Sequence, residues 1–389
     1  MSAALERTDP KALGERLRDA RVGANMTQGQ AAAALGLART TLVAIEAGGR
    51  RVQPGELIEA ARLYDVAVSD LLRPEAVRLR AVPQFRAMPG TKPEATEAAG
   101  KLLVALAAAE AEIEGLLGQP LHRNYPPEQP ILAEDVAGQA SDAALDLRQR
   151  LGLGLAPIPD LLRVLEGKMG VRVFVRRLGT GSVSGAFFYD EAVGACMLLN
   201  GDHPPERRDM TAAHELGHLV SSRQQATVVE PGRAPATKEE RFARAFAVEF
   251  LMPAAMVRGR FRDLRDAEGR FGRTHLAVLA RDLGVSAEAL CRRLEELGLV
   301  RRGTWETLHE SGFSTRNLDS VLGPSAPELR NQAVTPRVWL LASEAHRRGL
   351  LSEGQLARML RMDRLDVREM LVALDGYAEE DVFESLAPG

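Results

Sequence analysis

Aromatic side chains and cysteines are scarce in this sequence, and long hydrophobic runs are missing. Aromatic residues make up only 4% of the 389 residues, so leucine, alanine and valine must build the cores. The two cysteines, Cys196 and Cys291, exclude a disulfide framework and a cysteine-rich metal site, and they fit a reducing compartment. No stretch approaches the roughly 20 apolar residues that a membrane span needs. We therefore expect no membrane segment.

Charge of one sign is not in excess either. The formal net charge is -3 and the isoelectric point is about 6.2, so the chain lacks the overall basic balance typical of many nucleic-acid-binding proteins. The first residues carry no apolar segment of the signal-peptide kind, and we expect a cytoplasmic protein. A length of 389 residues exceeds one ordinary domain and predicts two or three.

Residues 10–73 have the pattern of a compact helical unit. Thr27 is typical of a helix N-cap, Gly36 is typical of a tight turn, and a second helix is predicted over Ala38–Ala47. This stretch resembles the XRE (Cro/C1-type) helix-turn-helix family in its MTQ opening, its Leu-Gly turn, its TTLVAIEAGGRR run and its closing VSDLL.

The resemblance implies that the second helix of the pair enters the major groove of double-stranded DNA. Arginine reads guanine edges and neutralises phosphates, so two groups of residues are implied to touch DNA. Those facing bases are Arg39, Thr40 and Ala44, and those meeting phosphates are Gln28, Arg50 and Arg51. The alternative is a helical domain that contacts proteins and carries solvated arginines.

The strongest chemical signal is an HExxH motif in which His214 and His218 flank Glu215. On a helix, residues four apart share one face, so both imidazoles can reach one metal ion. Glu215 then projects near the open coordination position, where a carboxylate can take a proton from water. The alternative is a pair of surface or hydrogen-bonded histidines on an ordinary helix.

A catalytic zinc ion needs a third protein ligand and an open fourth position. His203 is a weak candidate, and the later helix KEERFARAFAVEFLMP offers Glu239, Glu240 and Glu249. Here the sequence resembles the ImmA/IrrE family of zinc metallopeptidases, which pairs HELGH with E-x-x-A-N-x-F-A-x-E-L-L-M-P. The register implies Glu240 as the third Zn²⁺ ligand and Glu249 as a supporting residue. Arg244 stands where the family has asparagine, and it could pair with Glu240.

The two resemblances together imply an α+β fold that is mostly helical. We expect an N-terminal all-α helix-turn-helix domain over residues 1–75 and a linker with a helical arm over residues 76–139. A central gluzincin-like α+β metallopeptidase domain with a small sheet is expected over residues 140–260. A C-terminal helical region is expected over residues 261–389.

Substrate binding is predicted on one strand. In peptidases of this general type an edge strand pairs with the substrate backbone. The predicted strand comprises Ala195, Cys196, Met197, Leu198 and Leu199. Core packing is the alternative role of this strand. The Cys196 thiolate could occupy the open zinc position, or Cys196 could be an ordinary small apolar residue.

The resemblances imply a DNA-associated regulatory zinc metallopeptidase that cleaves a partner protein. The expected substrate is a helix-turn-helix repressor, whose cleavage would derepress stress, DNA-damage or phage-defence genes. One alternative is an XRE-family transcription factor whose peptidase-like domain senses a ligand, and another is an antitoxin-like partner. Double-stranded DNA is the second expected partner, and the sequence leaves a homodimer open.

Overall fold

The computed structural model describes ten segments, residues 9–24, 26–64, 66, 68–72, 93–132, 134–179, 183–223, 227–229, 237–314 and 335–378. The chain divides into two compact units, Met1–Arg78 and Leu79–Gly389. Residues 76–92, the first part of the predicted linker, lie outside the described segments. Within them, every helix is too short or too polar to cross a bilayer.

The first unit is helical throughout its described part. Its helices are α1 (Pro10–Gly23), α2 (Gln28–Ala34), α3 (Arg39–Glu46), α4 (Pro54–Leu63) and α5 (Val68–Leu72). Thr27 and Gln30 form a capping box at the start of α2, which satisfies backbone N–H groups that lack helical partners. Gly36 takes a φ of 66°, which favours glycine, and turns the chain into α3. The predicted cap and turn are therefore confirmed.

The second unit combines helices with one small sheet. Its helices before the sheet are α6 (Pro93–Leu117), α7 (Val136–Arg150) and α8 (Leu161–Val164), the last followed by a π-helical turn over Leu165–Met169. Its strands are β1 (Arg172–Arg176), β2 (Gly185–Asp190), β3 (Gly194–Asn200) and β4 (Thr227–Val229). Its later helices are α9 (Pro205–Ser221), α10 (Lys238–Leu251), α11 (Ala254–Glu268), α12 (Arg273–Asp282), α13 (Ala287–Glu296), α14 (Thr304–Glu310), α15 (Pro336–Arg347), α16 (Glu353–Met359) and α17 (Arg364–Ala378). The predicted mostly helical α+β class is confirmed.

The sheet has the strand order β1-β3-β2-β4. Strand β3 pairs in parallel with β1 and antiparallel with β2, while β4 pairs antiparallel with β2. A small sheet and a strand at the position of β3 were predicted from the sequence, whereas β4 was missed because three residues give no readable alternation. Strand β3 is therefore an inner strand with neighbours on both sides.

The two faces of the sheet carry different helices. Side chains alternate along a strand, and Ala195, Met197 and Leu199 share one core with Ala213 and Leu216 of α9. The same core includes buried residues of α7, α10, α12 and α13. Helix α6, predicted as an arm, contacts the strands, and its Glu110 and Glu114 bind Arg172 on the other face of β1.

The face under α6 contains a buried ion cluster. The Arg172 guanidinium donates to Glu110 at 2.7 Å and to both oxygens of Glu114 at 2.6 and 2.7 Å. Arg337, near the start of α15, donates to the same two carboxylates at 3.0 and 2.6 Å. Burial raises the pKa of Glu110 to about 7, against the opposing attraction of Arg172. The cluster joins the C-terminal helices to the sheet. The domain bounds that were predicted from the sequence, after residues 75, 139 and 260, remain a prediction.

Candidate metal centre and nucleic-acid interface

Helix α9 carries the HExxH motif and crosses α10 closely. It begins at Pro205, because a proline is well suited to the first turn of a helix. A Cβ atom on Gly217 would lie 2.7 Å from the Cα of Ala243 in α10. Only glycine at position 217 therefore permits this approach of the two helices.

Helix α10 brings the third donor residue into place. Its N-cap is Thr237, whose hydroxyl accepts a hydrogen bond from the backbone N–H of Glu240 at 3.2 Å. Phe242, Phe246 and Phe250 stack along the buried side of this helix and fix its rotation against the core. The Glu240 side chain, in the first turn, then projects towards the histidines of α9.

Donor atoms of three side chains converge at the crossing of α9 and α10. The Nε2 atoms of His214 and His218 lie 3.2 Å apart. Oε2 of Glu240 lies 3.3 Å from Nε2 of His214, and Oε1 lies 3.4 Å from Nε2 of His218. His218 is almost fully buried, while His214 and Glu240 keep side-chain exposures of 16% and 17%. The site therefore opens to solvent on one side.

These distances fit a tetrahedral ion. Ligand atoms bonded to tetrahedral zinc at about 2.0–2.2 Å are separated from one another by about 3.3–3.6 Å. The two Nε2 atoms lie 3.2 Å apart, and each carboxylate oxygen of Glu240 lies 3.3 or 3.4 Å from one of them, all close to this range. Two imidazoles and one carboxylate are also a known catalytic donor set that leaves a fourth position free. The side chains of His214, His218 and Glu240 can thus hold a metal ion with little rearrangement.

Electrostatics favour the ionised form of the third donor. Hydrogen bonds from His214 and His218 hold the pKa of the Glu240 carboxyl well below its usual range. Arg244, one turn later and predicted as a competing partner, is exposed, while both carboxylate oxygens of Glu240 face the imidazoles. The carboxylate is therefore charged and directed at the metal position.

Glu215 lies beside this donor set but outside it. It follows His214 in α9 and is fully buried, whereas the three grouped donors are His214, His218 and Glu240. Helix geometry turns Glu215 about 100° from His214. His203, the weak candidate for a ligand, precedes α9 and is also absent from the group.

Glu249 supports the end of α10 instead of binding metal. One of its oxygens accepts a hydrogen bond from the backbone N–H of Ala254 at 2.9 Å, and the other is paired with Arg293 of α13. Arg293 also donates to the carbonyl of Met252 at 3.2 Å. The pair is buried and anchors the turn between α10 and α11 on α13. This agrees with the supporting role that the family resemblance implied.

The structure contradicts the prediction that residues 195–199 form an edge strand that binds substrate. Ala195, Cys196, Met197, Leu198 and Leu199 form β3, which is paired on both sides and fully buried. Its backbone groups are already bonded to β1 and β2, so it has no edge to offer to a peptide. The prediction was wrong because strand order depends on pairings between distant segments.

Cys196 also lies away from the metal position. It stands opposite Arg172 in the β1–β3 register, on the α6 face, whereas α9 packs against the other face. Burial raises the pKa of its thiol well above the usual range. A thiolate ligand from Cys196 is therefore excluded by both position and charge, which leaves its apolar packing role.

The helix-turn-helix unit presents an arginine-lined groove of about 640 Å³. Its lining residues are Arg18, Arg21, Thr27, Gln28, Gly29 and Arg39. Arg39 and Thr40 are exposed at the start of α3, and Ala44 is half-buried one turn later. An exposed helix start beside a cationic groove suits a phosphate backbone and base edges. Sequence analysis missed Arg18, because its side of α1 becomes meaningful only once α1 packs beside α2.

Gln28 and Arg50, two of the three predicted phosphate contacts, already have partners in the chain. Gln28 donates to Glu46 at 2.8 Å, and Glu46 is held by Arg21 through bonds of 2.6 and 3.0 Å. Arg50 binds Glu56 through bonds of 2.8 and 2.9 Å. Arg51 is exposed. Of the predicted DNA contacts, Gln28 and Arg39 thus line one groove, while Arg50 lies in the loop after α3 and is paired with Glu56.

Comparisons with protein families agree with this architecture. Residues 12–75 match the helix-turn-helix domain model HTH_31, and residues 166–295 match the IrrE N-terminal-like domain model Peptidase_M78. The second match includes α9, α10 and almost all of α13. A comparison with curated proteins finds no match. The chain therefore joins a helix-turn-helix domain to an IrrE N-terminal-like, metallopeptidase-like domain, as the sequence predicted.

Proposed function

We propose that this chain is a DNA-associated, cytoplasmic zinc metallopeptidase that cleaves a transcriptional repressor. Cleavage would derepress genes for stress, DNA damage or phage defence. The observation that carries the proposal is the convergence of His214, His218 and Glu240 at zinc-like separations beside the buried Glu215. The helix-turn-helix domain would bring this site to DNA, where repressors are found.

The chain's own residues have separate tasks in this proposal. His214, His218 and Glu240 would hold Zn²⁺, and their local fit argues for a tetrahedral ion. Zinc, when bound, supplies Lewis acidity that makes water more acidic and polarises a carbonyl group. The Glu215 carboxylate takes the proton of the attacking water and passes it to the departing amine nitrogen. Burial excludes bulk water and keeps this carboxylate in place.

The competing function is a transcription factor whose peptidase-like domain senses a ligand. Such a sensor would need the metal donors or the pocket, but it would have no use for a proton acceptor beside them. Glu215 is retained and buried next to His214. This observation favours hydrolysis over sensing.

The test separates metal binding from proton transfer. Glu215→Gln should retain near-stoichiometric zinc, measured by elemental analysis, because position 215 is not among the donors. Cleavage of a helix-turn-helix repressor encoded beside the gene should fall about 10²–10⁴-fold, the usual contribution of a general base.

Glu239→Gln is the matched control, because Glu239 precedes Glu240 but is not among the grouped donors. This variant should keep both zinc and cleavage. A chain that purifies with no affinity for zinc, or a Glu215→Gln variant that cleaves at the wild-type rate, would refute the proposal.

A further inference from the structure

The two helices of the metal centre carry exposed arginines on the same sides as the metal donors. Arg207 lies seven residues before His214 in α9, and Arg244 lies four residues after Glu240 in α10. Spacings of seven and four residues return a side chain to nearly the same side of a helix. Both arginines are exposed. Each guanidinium is therefore on the donor side of its helix, about two turns from His214 and about one turn from Glu240.

The centre opens to solvent in the direction of Arg207. The side chain of His218 is 4% exposed and that of His214 is 16% exposed, so exposure along this side of α9 increases towards the start of the helix. Arg207, nearer that start, is more exposed still. A ligand that approaches the donors from solvent along α9 therefore comes close to the Arg207 guanidinium.

Neither Arg207 nor Arg244 forms an ion pair with a carboxylate in the described segments. On a helix, a partner would stand three or four residues away. For Arg244 the one acidic residue at that spacing is Glu240, whose two oxygens face the imidazoles instead. For Arg207 these positions hold no acidic residue, since they are occupied by His203, Pro204, Met210 and Thr211.

Several exposed arginines elsewhere in the second unit do have such partners. Arg292 binds Glu288, four residues earlier, at 2.9 Å, and Arg163 lies 3.5 Å from Asp160, three residues earlier. Local pairing neutralises these side chains. The charges of Arg207 and Arg244 are, in contrast, available to a ligand of the metal centre.

The start of α10 is positively charged as a whole. Lys238, Arg241 and Arg244 are exposed, Glu239 is half-buried, and the carboxylate of Glu240 is directed at the metal position. The whole chain has a formal net charge of -3. The positive charge around the centre is therefore a local feature, and it is complementary to an acidic ligand.

We infer that the metal centre binds an acidic segment of its protein substrate, with Arg207 and Arg244 as specificity-determining residues. Each guanidinium would receive an aspartate or glutamate side chain, because its planar fork matches a carboxylate through two parallel hydrogen bonds. The inference rests on the proposed function for the nature of the ligand, which is a peptide that reaches the metal donors. The two cations flank this one centre, and so they favour a peptide carboxylate over the phosphates of a duplex, which repeat along a broad surface.

The test measures binding of synthetic peptides without cleavage. The probes are capped, fluorescent peptides of equal length that carry glutamate, glutamine or lysine at the same positions in an alanine background. They are titrated into the zinc-loaded full chain bearing Glu215→Gln, and binding is followed by fluorescence anisotropy. The glutamate peptide should bind about tenfold more tightly than the glutamine peptide, since two exposed ion pairs can supply that ratio. This advantage should shrink as salt is added.

Variants at the two arginines test which residues read the charge. Arg207→Gln/Arg244→Gln should bind the glutamate and glutamine peptides equally, and Arg207→Glu/Arg244→Glu should prefer the lysine peptide. Such a reversal cannot result from unfolding. The control is Arg258→Gln/Arg260→Gln, which removes two exposed arginines of α11 and should keep the preference for glutamate. All variants are compared at equal zinc content.

Three results would overturn the inference. They are equal binding of the glutamate and glutamine peptides by the parent chain, a preference for glutamate that survives both changes at Arg207 and Arg244, and an equal loss in the control. A fourth is a duplex that displaces the glutamate peptide and loses as much affinity in Arg207→Gln/Arg244→Gln, because the cations would then bind phosphates.

The outcome is separable from that of the proposed function. If the wild-type chain cleaves a repressor but shows no preference for acidic peptides, the inference fails and the hydrolase proposal stands. If acidic peptides bind through Arg207 and Arg244 but the wild type cleaves nothing, the hydrolase proposal fails and the acidic ligand site remains.

Discussion

The metal centre and the helix-turn-helix face hold their functional residues in opposite ways. At the centre, His218 and Glu215 are buried, and Gly217 sets the distance between two long helices. On the face, Arg39 and Thr40 are exposed, and Arg50 is held only by an ion pair with Glu56. The difference teaches that the centre is rigid before any ligand arrives, whereas the face can exchange local partners for phosphates.

The largest effect is expected where the rigid centre loses a donor. Glu240→Gln removes the charge that holds a divalent ion but keeps the shape of the side chain. Zinc affinity, measured by competition with a chelator, should fall by more than the roughly 10–100-fold that loss of an outer-shell partner costs. Glu239→Gln should leave it unchanged, and equal losses in the two variants would show that Glu240 is not a ligand.

A change at the helix crossing should come next. Gly217→Ala places a methyl group against the backbone of α10, and such overpacking costs about 1–3 kcal/mol of unfolding free energy. Zinc affinity should fall as well, because α10 carries Glu240. Gly259→Ala in α11 meets no atom within 4 Å and should stabilise the chain by about 0.5–1 kcal/mol. A stable, zinc-replete Gly217→Ala variant would show that the crossing tolerates adjustment.

On the helix-turn-helix face, substitutions should have a smaller effect, which is on DNA affinity and depends on the salt concentration. Arg18→Ala/Arg39→Ala removes two guanidinium groups from the groove, and affinity for a random-sequence duplex should fall about tenfold. The slope of log affinity against log salt should shrink by about 1 for each lost phosphate contact. Arg62→Ala, an exposed arginine outside this groove, is the control. An unchanged slope would place the DNA contacts elsewhere.

The smallest effect, on the stability of the fold, is expected at the Arg50–Glu56 pair, which would have to break if Arg50 bound a phosphate. Arg50 holds the pKa of Glu56 below its usual 4.5, so Glu56 is more acidic in the folded than in the unfolded state. The pair therefore stabilises the fold above about pH 4.5, and this stabilisation is lost as the pH falls below that value. Arg50→Ala should lower the urea midpoint of unfolding slightly at pH 7 and less at pH 3. An equal decrease at both pH values would show that the ion pair contributes nothing.

The same contrast explains what the sequence could predict. The spacing of His214 and His218 on one helix is local, so the motif predicts a shared metal position without knowledge of the fold. Glu240 needed the register of a family motif, because its approach depends on the crossing at Gly217. The role of β3 was predicted wrongly because β1 pairs beside it through contacts that no local pattern encodes.

Surface pairings were the least predictable feature. No pattern in the sequence indicated that Glu56 would bind Arg50, because an arginine near the surface has many acidic neighbours within reach. The C-terminal part was predicted only as a helical region over residues 261–389, without the bounds of its helices.

The ion cluster beneath α6 has a consequence for how this chain can be shortened. Arg337 contributes one of the two guanidinium groups that accompany Glu110 and Glu114 in the interior. Removing α15, α16 and α17 would remove the Arg337 guanidinium together with the surface that these helices cover. Two buried carboxylates would then share the one remaining arginine, Arg172. The C-terminal helices, α6 and β1 thus share one ion cluster, and a shortened or recombined variant of the chain would have to change all three together.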